Sequence, residues 1–550
     1  MKKALFLLGR YYRTVKHLRV SQIRTRIFRR LLTAAERIPA VANLYTQKLT
    51  KYEITDLTLT RLPLPDKHYL GDSIFEFLSK RLICKDTWFP SEASLLWLFN
   101  LHYFDFLDEI ESPNEQKQFI FDWITRVPIC HPVGWHPYTS SLRICNWIAS
   151  YPSIKQLLSE SEKEIFLSSL YNQLRHLLWH IEEDLLANHL IENCRALTVG
   201  GIFLNQERFV SHGMNVLLRE LPEQVLSDGG HYERSPQYHT GVLIALLDAH
   251  AALRQGSRDI PALLAEKIEA MTHFLAKILD FGKLPGLNDT TPEFVPNPQA
   301  VIAYAAQELQ IPAPSYPELD QHLAVTGLFI YRSKRLSVTF DVGPIGPDVQ
   351  PGHAHSDTLS ALVSIDGLPV LIDSGVYTYE AGEDREYFRS AWAHNGPIIN
   401  SGEPNEMWGA FRVGRREPSP SSTAPRTASL SRDGVQITRA IHVPSTLKLE
   451  IEDSYSGSAT CQIETRWLLG IPAAQRHSIE ARSPSSFYVK TDKGEIVLTI
   501  TGEAHVALEE APASPRFYSK ESNLCLVTRA IGNGKITFAL ALKPTLSYSI

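Results

Sequence analysis

The sequence predicts a multidomain chain whose first half is α-helical and whose second half is an antiparallel β-sandwich. Residues 75–310 repeat apolar side chains at helical spacing, in stretches separated by short breaks rich in Pro, Gly, Asn or Asp. No strand pattern alternates with these stretches, which argues against a parallel βα fold and favours a helical toroid or solenoid. After a Pro-rich linker near residue 312, short β-type runs alternate with turn signals such as DG, NG and KG.

We expect three regions, because 550 residues exceed one ordinary hydrophobic core. They are a basic N-terminal arm and lead-in over residues 1–70, a helical domain over residues 71–315 and a β-sandwich domain over residues 316–550. Within the last region, the Ser- and Pro-rich stretch around residues 418–429 predicts a loop.

The N-terminal arm is strongly basic, since residues 1–37 contain eleven lysines and arginines and one acidic residue. Two interpretations remain open: a basic amphipathic helix that contacts anionic lipid weakly, and a solvated arm packed on the main body. The apolar run near the start is interrupted by Arg10 and lacks a small-residue cleavage site, so it is unconvincing as a signal peptide. No segment has the uninterrupted apolar length that spans a bilayer.

The composition argues against several classes of protein. The net charge is −5 and no long basic stretch is interleaved with aromatics, so we expect no nucleic-acid partner. A locally basic cleft for an acidic substrate remains compatible with this charge balance. The six cysteines include no CxxC pair, which indicates neither a zinc–cysteine site nor a disulfide framework. Nucleotide-binding, HExxH and GxSxG motifs are also absent from the sequence.

A first polar cluster lies at the start of a predicted apolar helix. Asn188 and Glu192 are four residues apart and share a helical face, with His189 beside them. Such a cluster is typical of a cleft lining. The alternative is an ordinary N-terminal cap, with Asn188 capping the helix and Glu192 exposed.

A second cluster, residues 230–239, combines titratable and aromatic groups before the next apolar helix. Arg234 and Tyr238 would lie one helical turn apart, and a neighbouring cation lowers the pKa of tyrosine from its ordinary value of about 10. The alternative is that Tyr238 is an amphipathic residue at the edge of the core.

A third cluster combines His353 and His355 with the more distant Asp373 and His394, all in or beside predicted strands. His355, Asp373 and His394 form a nitrogen, nitrogen and oxygen ligand set that suits zinc or a similar divalent metal. An HxH pattern is a weak metal signal by itself, and the distant Asp and His make it suggestive, so the spacing alone does not decide metal binding.

Aromatic side chains could line sugar subsites, because sugar rings present apolar faces that stack on them. For Trp97 and Trp147 we favour helix packing instead. Trp135 lies in the loop-like stretch GWHPY and is the stronger candidate for substrate contact. Tyr103 and Tyr138 are further candidates.

These clusters, in this order, resemble the heparinase II/III-like family of polysaccharide lyases. The resemblance is densest in residues 187–193, 228–239 and 351–395, and it covers most of the chain. The arm resembles a subgroup found with bacterial exopolysaccharide genes. The resemblance implies an incomplete (α/α) toroid, a C-terminal antiparallel β-sandwich and a cleft between them.

The resemblance also implies roles for individual residues. Asn188 and His189 would neutralise a uronate carboxylate, and Tyr238 would exchange protons with the sugar as base, acid or both, with His353 as its partner. The remaining candidates for substrate contact or orientation are Glu192, Arg234, Tyr377 and Arg389.

The metal ligands implied by the resemblance are His355, Asp373 and His394, with zinc as the first choice and a mainly organising role. The expected reaction is β-elimination, in which the C5 proton of a uronate is removed and the O4 group leaves. The expected substrate is an acidic polysaccharide, and the expected location is the bacterial cell envelope, in the periplasm, with the cytoplasm as the alternative. The oligomeric state stays open.

Two other functions compete with this one. A glycoside hydrolase on a helical toroid would use two carboxylates. A non-catalytic exopolysaccharide-binding or assembly protein would keep the fold without the reaction. The acids available to a hydrolase are Asp105, Glu192, Glu233 and Asp289.

Overall fold

The computed structural model describes residues 2–49 and 53–544. The N-terminal arm contains three helices, and a short β-hairpin leads into the helical half. The helices of the arm are α1 (Lys2–Val15), α2 (Val20–Ala35) and α3 (Pro39–Ala42), and the strands of the hairpin are β1 (Ile74–Phe77) and β2 (Lys80–Ile83). The sequence pattern did not predict this hairpin.

The helical half is a succession of helices with short connections, as the periodicity predicts. Serine side chains cap several of them; Ser159, for example, accepts a hydrogen bond from the backbone N–H of Glu162. α8 is the central element, because all its residues except His189 are buried. The helices are α4 (Leu95–Tyr103), α5 (Pro113–Arg126), α6 (Pro137–Ile154), α7 (Glu160–His180), α8 (Ala187–Phe203), α9 (Glu207–Gln224), α10 (Pro236–Gln255), α11 (Ala262–Ile278) and α12 (Pro298–Leu309).

The second half is built from antiparallel strands and one short helix. Burial alternates along strands such as β14, which is typical of a sheet with one face on the core. The elements are β3 (Leu319–Leu323), β4 (Leu328–Arg332), β5 (Leu336–Asp341), β6 (Ala361–Ile365), β7 (Leu368–Leu371), α13 (Glu383–Arg389), β8 (Pro397–Ile399), β9 (Met407–Trp408), β10 (Arg412–Val413), β11 (Ser421–Ala424), β12 (Thr427–Arg432), β13 (Val435–Ser445), β14 (Lys448–Ser456), β15 (Gln462–Pro472), β16 (Ile479–Ser483), β17 (Ser486–Thr491), β18 (Gly494–Gly502), β19 (His505–Arg516), β20 (Ser519–Ile531) and β21 (Gly534–Pro544).

Two large sheets form the sandwich. One has the strand order β11-β12-β13-β14-β21-β18-β17-β16, and the other has the order β19-β20-β15-β7-β6-β5-β4-β3, with β8 also pairing with β15. Trp467 of β15 stacks on Phe538 of β21 with ring centroids 4.6 Å apart, so the two sheets share one core. The architecture of an all-α region followed by an antiparallel β-sandwich is therefore confirmed.

The loop predicted around residues 418–429 is wrong in part. Residues 421–432 form the hairpin β11–β12 at the edge of a sheet. Ala428, Ser429 and Leu430 are buried in β12, and this short buried run was hidden by the surrounding Ser and Pro residues.

The two halves are joined by polar and apolar contacts. The Arg332 guanidinium donates to the carbonyl of Lys277 at 2.9 Å, and Asp228 accepts hydrogen bonds from the backbone of Val325 and Thr326. Apolar residues of β3 and β4 also belong to the core of the helical half. The interface between the two halves is therefore stabilised by side chains from both.

Candidate active site

A cavity of about 860 Å³ lies where the helical half meets the sheet half. Asn188, His189 and Glu192 line it from α8, and Tyr238 lines it from the first turn of α10. His353 lines it from the sheet half. The structure therefore brings all four predicted catalytic residues, and Glu192, to one groove.

Tyr238 and His353 form the contact across the groove. Their rings stack with centroids 3.7 Å apart and an interplanar angle of 28°. The Tyr238 hydroxyl also lies 3.2 Å from the hydroxyl of Tyr379. Burial, together with the neighbouring Tyr379 and Asp289, raises the pKa of Tyr238 well above its ordinary value. Tyr238 is therefore a neutral O–H donor at neutral pH.

The first turn of α10 places Tyr238 beside the loop that follows α11. The Ser235 hydroxyl accepts a hydrogen bond from the Tyr238 backbone N–H at 3.3 Å and donates one to the Asp289 carbonyl at 2.6 Å. The Ser235 side chain thus caps the N-terminus of α10 and also holds the loop that contains Asp289.

Asn188 is held by a buried carboxylate. Its Nδ2 donates to both oxygens of Glu233 at 3.1 and 3.2 Å, and its backbone N–H donates to the same group at 3.2 Å. Burial raises the pKa of Glu233. Oδ1 of Asn188 is buried and has no hydrogen-bond partner among the described residues. The turn before it is strained, because Leu186 and Ala187 have φ values of 62° and 54°.

His189 is paired with Glu182, which lies near the start of the loop after α7. Its Nδ1 is 3.2 Å from the Glu182 carboxylate. Burial opposes the charged imidazolium, but the Glu182 charge outweighs it and raises the pKa of His189. Burial also opposes the charge on Glu182, yet His189 and His136 lower the pKa of that carboxyl to about 2. Glu182 therefore favours the charged form of His189, which lines the cavity.

Glu192 belongs to a second buried network on α8. Its carboxylate is 2.9 Å from Arg195, whose guanidinium also lies 3.2 Å from Asp248. Burial raises the pKa of Glu192 to about 7. Asp105, Arg195 and Asp248 line the same end of the cavity.

Asp289 organises the wall on which His353 lies. Its carboxylate accepts from Nδ1 of His353 at 2.9 Å, from Nε2 of His355 at 2.9 Å and from both terminal nitrogens of Arg385 at 2.6 and 2.7 Å. Although burial opposes ionisation, Arg385 holds the pKa of Asp289 well below its ordinary value. Because Nδ1 of His353 donates to this carboxylate, its Nε2 is left as an acceptor.

The predicted metal ligands lie together. One ligand atom each of His355, Asp373 and His394 falls within 4.8 Å of the others. The Nδ1 atom of His394 is 2.7 Å from Asp373. Nε2 of His394 and Nδ1 of His355 are buried without a hydrogen-bond partner in the part of the chain that the structure describes. Two orphaned imidazole nitrogens beside a carboxylate fit a divalent metal such as zinc.

A second group, Glu36, Cys130 and His176, also meets this distance criterion. There Glu36 already accepts from His180 at 2.7 Å, and burial raises the pKa of the Cys130 thiol to about 12. The Glu36 carboxylate is thus already engaged by a histidine and the Cys130 thiol is held protonated, so we assign no metal to this group.

Trp135 and Arg234 do not reach the cavity. Trp135 is 5% exposed and stacks near Trp123 and His176, because α7 covers the loop-like GWHPY stretch. The Arg234 guanidinium donates hydrogen bonds to backbone carbonyls, from Nε to Thr326 at 2.9 Å and from Nη2 to Val325 at 3.1 Å. Both residues therefore make packing or hydrogen-bond contacts within the protein and are not among the described residues that line the cavity.

Tyr377 and Arg389 are also not among the described residues that line the cavity. Tyr377 packs between Phe388 and Tyr518. Arg389 is fully buried and donates to the carbonyl of Ala354, so it positions the segment between the two histidines. Trp97 and Trp147 are buried packing residues, whereas Tyr103 and Tyr138 line the cavity.

Sequence reasoning missed several residues of the site. Tyr379, rather than Tyr377, meets Tyr238, and an extended segment with tyrosines two residues apart gives no signal to choose between them. Glu182 and Arg385 carry no spacing signal either. Asp289 and Glu233 were recognised only as acids available to a hydrolase.

Comparisons with known proteins agree with this arrangement. A family model described as "Heparinase II/III N-terminus" matches residues 115–304, and one described as "Heparinase II/III-like, C-terminal" matches residues 317–533. Together they cover most of the chain.

Three curated relatives match parts of the chain. "Heparin-sulfate lyase" of Pedobacter heparinus is 26% identical over 264 residues, which span 42% of this chain and 38% of that protein. "Heparin-sulfate lyase" of Bacteroides stercoris is 24% identical over 299 residues, 49% of this chain and 44% of that protein. "FtsZ-localized protein C" of Caulobacter vibrioides is 26% identical over 195 residues, 34% of this chain and 33% of that protein. Each match thus spans less than half of the relative.

Solved structures share the fold over nearly the whole chain. "Crystal Structure of Heparinase III" superimposes with a TM-score of 0.70 at 15% identity and covers 95% of this chain and 92% of that one. A heparan sulfate lyase of Pedobacter heparinus gives a TM-score of 0.57 at 16% identity, with 86% and 82% covered. At these identities the likeness concerns the fold.

Proposed function

Since the chain belongs to the heparinase II/III-like family, we propose that it is a lyase that cleaves a uronate-containing polysaccharide by β-elimination. The observation that carries the proposal is the contact of Tyr238 with His353 across the cavity, at 3.7 Å between ring centroids. One of these groups is a buried O–H donor, and the other presents a ring nitrogen, Nε2, which lies 3.8 Å from the Glu233 carboxylate and so beyond hydrogen-bond distance. Elimination needs one group of each kind.

The substrate carboxylate must be neutralised first, because removing the C5 proton adds negative charge next to an existing charge. His189, whose pKa Glu182 raises against the effect of burial, supplies a positive donor in the cavity. Asn188 supplies an amide that Glu233 fixes in place. Fixed donors stabilise developing charge more than mobile water does.

The hydrogen bonds of the site without substrate then indicate which residue is the base and which is the acid. Nδ1 of His353 donates to Asp289, so Nε2 accepts the C5 proton. The C5–H electron pair forms the C4–C5 double bond, the C4–O4 bond breaks, and the neutral Tyr238 hydroxyl gives its proton to O4. Tyr379, 3.2 Å from Tyr238, orients that hydroxyl.

A divalent metal, with zinc as the first choice, would be held by His355, Asp373 and His394. Its contribution would be to organise the wall of the groove, since it would fix His355. His355 shares the Asp289 carboxylate with His353, so the position of one histidine constrains the other.

An acidic polymer also suits the surface next to the cavity. A second cavity of about 780 Å³ shares Phe411 with the first. It contains the acids Asp184 and Asp348, but arginines outnumber them, so it is a basic extension that suits the next sugar carboxylates of a bound chain. The arginines that line it are Arg26, Arg29, Arg30, Arg37, Arg412 and Arg416.

We test the proposal by incubating the protein with a panel of uronate polysaccharides, including the exopolymer of its own host, and following the absorbance of the new double bond. Tyr238→Phe and His353→Ala should each lower turnover roughly a hundred-fold or more. Tyr331→Phe, on β4 and outside the cavity, is the matched control and should keep the wild-type rate. Polymer that binds but stays intact under all conditions would contradict catalysis and favour an assembly or binding protein.

A glycoside hydrolase is the second candidate, and Glu192 favours it. Burial raises the pKa of Glu192 to about 7, which suits a general acid, and Asp105 lies in the same cavity. Against it, Asp289 and Glu233 are engaged by Arg385 and Asn188. New reducing ends without double-bond absorbance, together with loss of activity in Glu192→Gln but not in Tyr238→Phe, would establish hydrolysis instead.

The proposal places the protein in the bacterial cell envelope, where exopolysaccharide is encountered. Each helix of the described residues is too short or too polar to cross a bilayer. Fractionation of the host cells, with the protein detected by antibody, tests this location.

A further inference from the structure

The two long helices of the N-terminal arm turn their polar sides toward the body of the protein. On α1, Arg10 and Arg13 donate to Glu406 at 3.1 and 2.8 Å, and Thr14 accepts from the Trp408 indole at 3.1 Å. These contacts anchor α1 to the ribbon β9–β10 of the sheet half.

α2 is anchored in the same way to the helical half. Arg26 and Arg29 pair with Asp184, and Gln22 donates to the carbonyl of the same residue. The side of each helix that faces away from the body is therefore not the polar side, which is the reverse of an ordinary surface helix.

The outward sides carry long apolar stripes. On α1, apolar residues at positions 8, 12 and 15 follow helical spacing and are between 44% and 70% exposed, whereas Tyr11 packs edge-on against Trp408 of the body. On α2, positions 20, 23, 27, 28 and 31 do the same and are between 40% and 82% exposed. The arm holds more than half of the exposed large apolar side chains among the described residues. A patch of this kind marks an interaction surface.

The charge around the stripes indicates what covers them. The arm carries eleven basic residues and one acidic residue over positions 1–37. Lys16 and Arg24 are exposed beside the stripes and pair with no carboxylate among residues 2–49 and 53–544. An apolar stripe with a rim of lysine and arginine is complementary to a bilayer with anionic headgroups.

We propose that the arm docks the protein on an anionic membrane surface, with the apolar stripes of α1 and α2 in the interfacial layer and the basic side chains on the headgroups. The helices have 14 and 16 residues, which suits helices that lie in the plane of the interface. A second copy of the chain is a poorer occupant, because two arms of the same strong positive charge repel each other.

Docking would fix the orientation of the groove. α1 contacts the ribbon that contains Trp408, and α2 contacts the loop around Asp184 that begins at Glu182. Both attachments lie beside the arginine-lined cavity, so the arm would hold the polymer-binding side at a constant distance from the lipid.

Vesicle flotation of the full chain tests the apolar part. Vesicles of phosphatidylcholine with about a third phosphatidylglycerol should carry the wild-type protein, and pure phosphatidylcholine should carry little. A variant with Leu8→Ser, Tyr12→Ser, Val20→Ser and Leu31→Ser should bind at least ten-fold more weakly. The matched control is Ile83→Ser with Ile531→Ser, two residues that are 65% and 69% exposed elsewhere on the protein.

The charged part is tested by Lys16→Gln with Arg24→Gln, which should weaken binding to the anionic vesicles about thirty-fold and leave residual binding to neutral vesicles unchanged. The thermal midpoint should stay at the wild-type value in every variant, because the altered side chains are exposed. Equal binding to neutral and anionic vesicles, or undiminished binding by the serine variant, would overturn the proposal. So would a dimer in solution that the serine variant abolishes, since a second copy would then cover the face.

Discussion

The two walls of the groove are built in different ways. On the helical wall, Asn188, His189 and Glu192 each have their own charged partner, and those partners differ. On the sheet wall, His353 and His355 share one carboxylate, Asp289, which comes from the helical half of the chain. A substitution on the helical wall should therefore disturb one side chain only. A substitution of Asp289 should disturb both histidines of the sheet wall.

Asp289→Asn should therefore have the largest effect. The amide cannot balance the charge of the fully buried Arg385, and an uncompensated buried charge costs about 3–5 kcal/mol of unfolding free energy. It also replaces one of the two acceptor oxygens by an NH2 donor, so His353 and His355 can no longer both donate to it, and turnover should fall at least about a hundred-fold. Denaturant unfolding and the double-bond assay measure the two effects.

The control for this variant is Asp320→Asn, which removes an ion pair with Arg426 where the aspartate side chain is 53% exposed. Its unfolding free energy should change by less than about 1 kcal/mol. If Asp289→Asn behaves like this control, the sheet wall does not depend on a shared carboxylate.

Metal removal should have the next largest effect, confined to the sheet wall. A chelator should lower the thermal midpoint of the wild-type protein, because bound metal contributes about 2–4 kcal/mol to the folded form at saturating concentration. His355→Ala, which lacks one ligand, should show no further shift with chelator, whereas His322→Ala on β3 should respond like the wild type. The metal content of His355→Ala, measured by mass spectrometry, should be lower than that of the wild-type protein. An unchanged content would argue against this site.

The sequence predicted the helical wall better than the sheet wall, for a physical reason. Asn188, His189 and Glu192 lie within one helical turn, so helix periodicity alone placed them on a common surface. The sheet wall depends on Asp289, which is 64 residues from His353, and no local pattern encodes such a pairing. Trp135 was misleading because a loop-like sequence can still be covered by another element.

The helical wall can be tested by pH. Glu182 raises the pKa of His189 against the effect of burial, so the charged form of His189 is favoured below that raised value and lost as the pH rises through it. Glu182→Gln removes this support, so the alkaline limb of kcat/KM should move to lower pH. We expect about a ten-fold loss of kcat/KM on the alkaline side, with little change in acid.

Glu183→Gln is the neighbouring control, since Glu183 pairs with Arg219 and does not contact His189. Its pH profile should match the wild type. A Glu182→Gln profile that falls equally at every pH would show that Glu182 acts only in folding, and the comparison between independent partners would then fail.

The smallest expected effect separates two tyrosines that the sequence could not rank. Tyr379→Phe removes the hydroxyl 3.2 Å from that of Tyr238, so the proton donor loses its orientation while its own chemistry remains. We expect turnover to fall about three- to ten-fold, as for the loss of one neutral hydrogen bond. Tyr377→Phe, two residues away and packed against Phe388, should keep the wild-type rate. Equal losses in both variants would mean that packing of this segment, rather than the Tyr379 hydroxyl, positions Tyr238. The sheet wall would then depend on packing of this segment as well as on the contacts of Asp289.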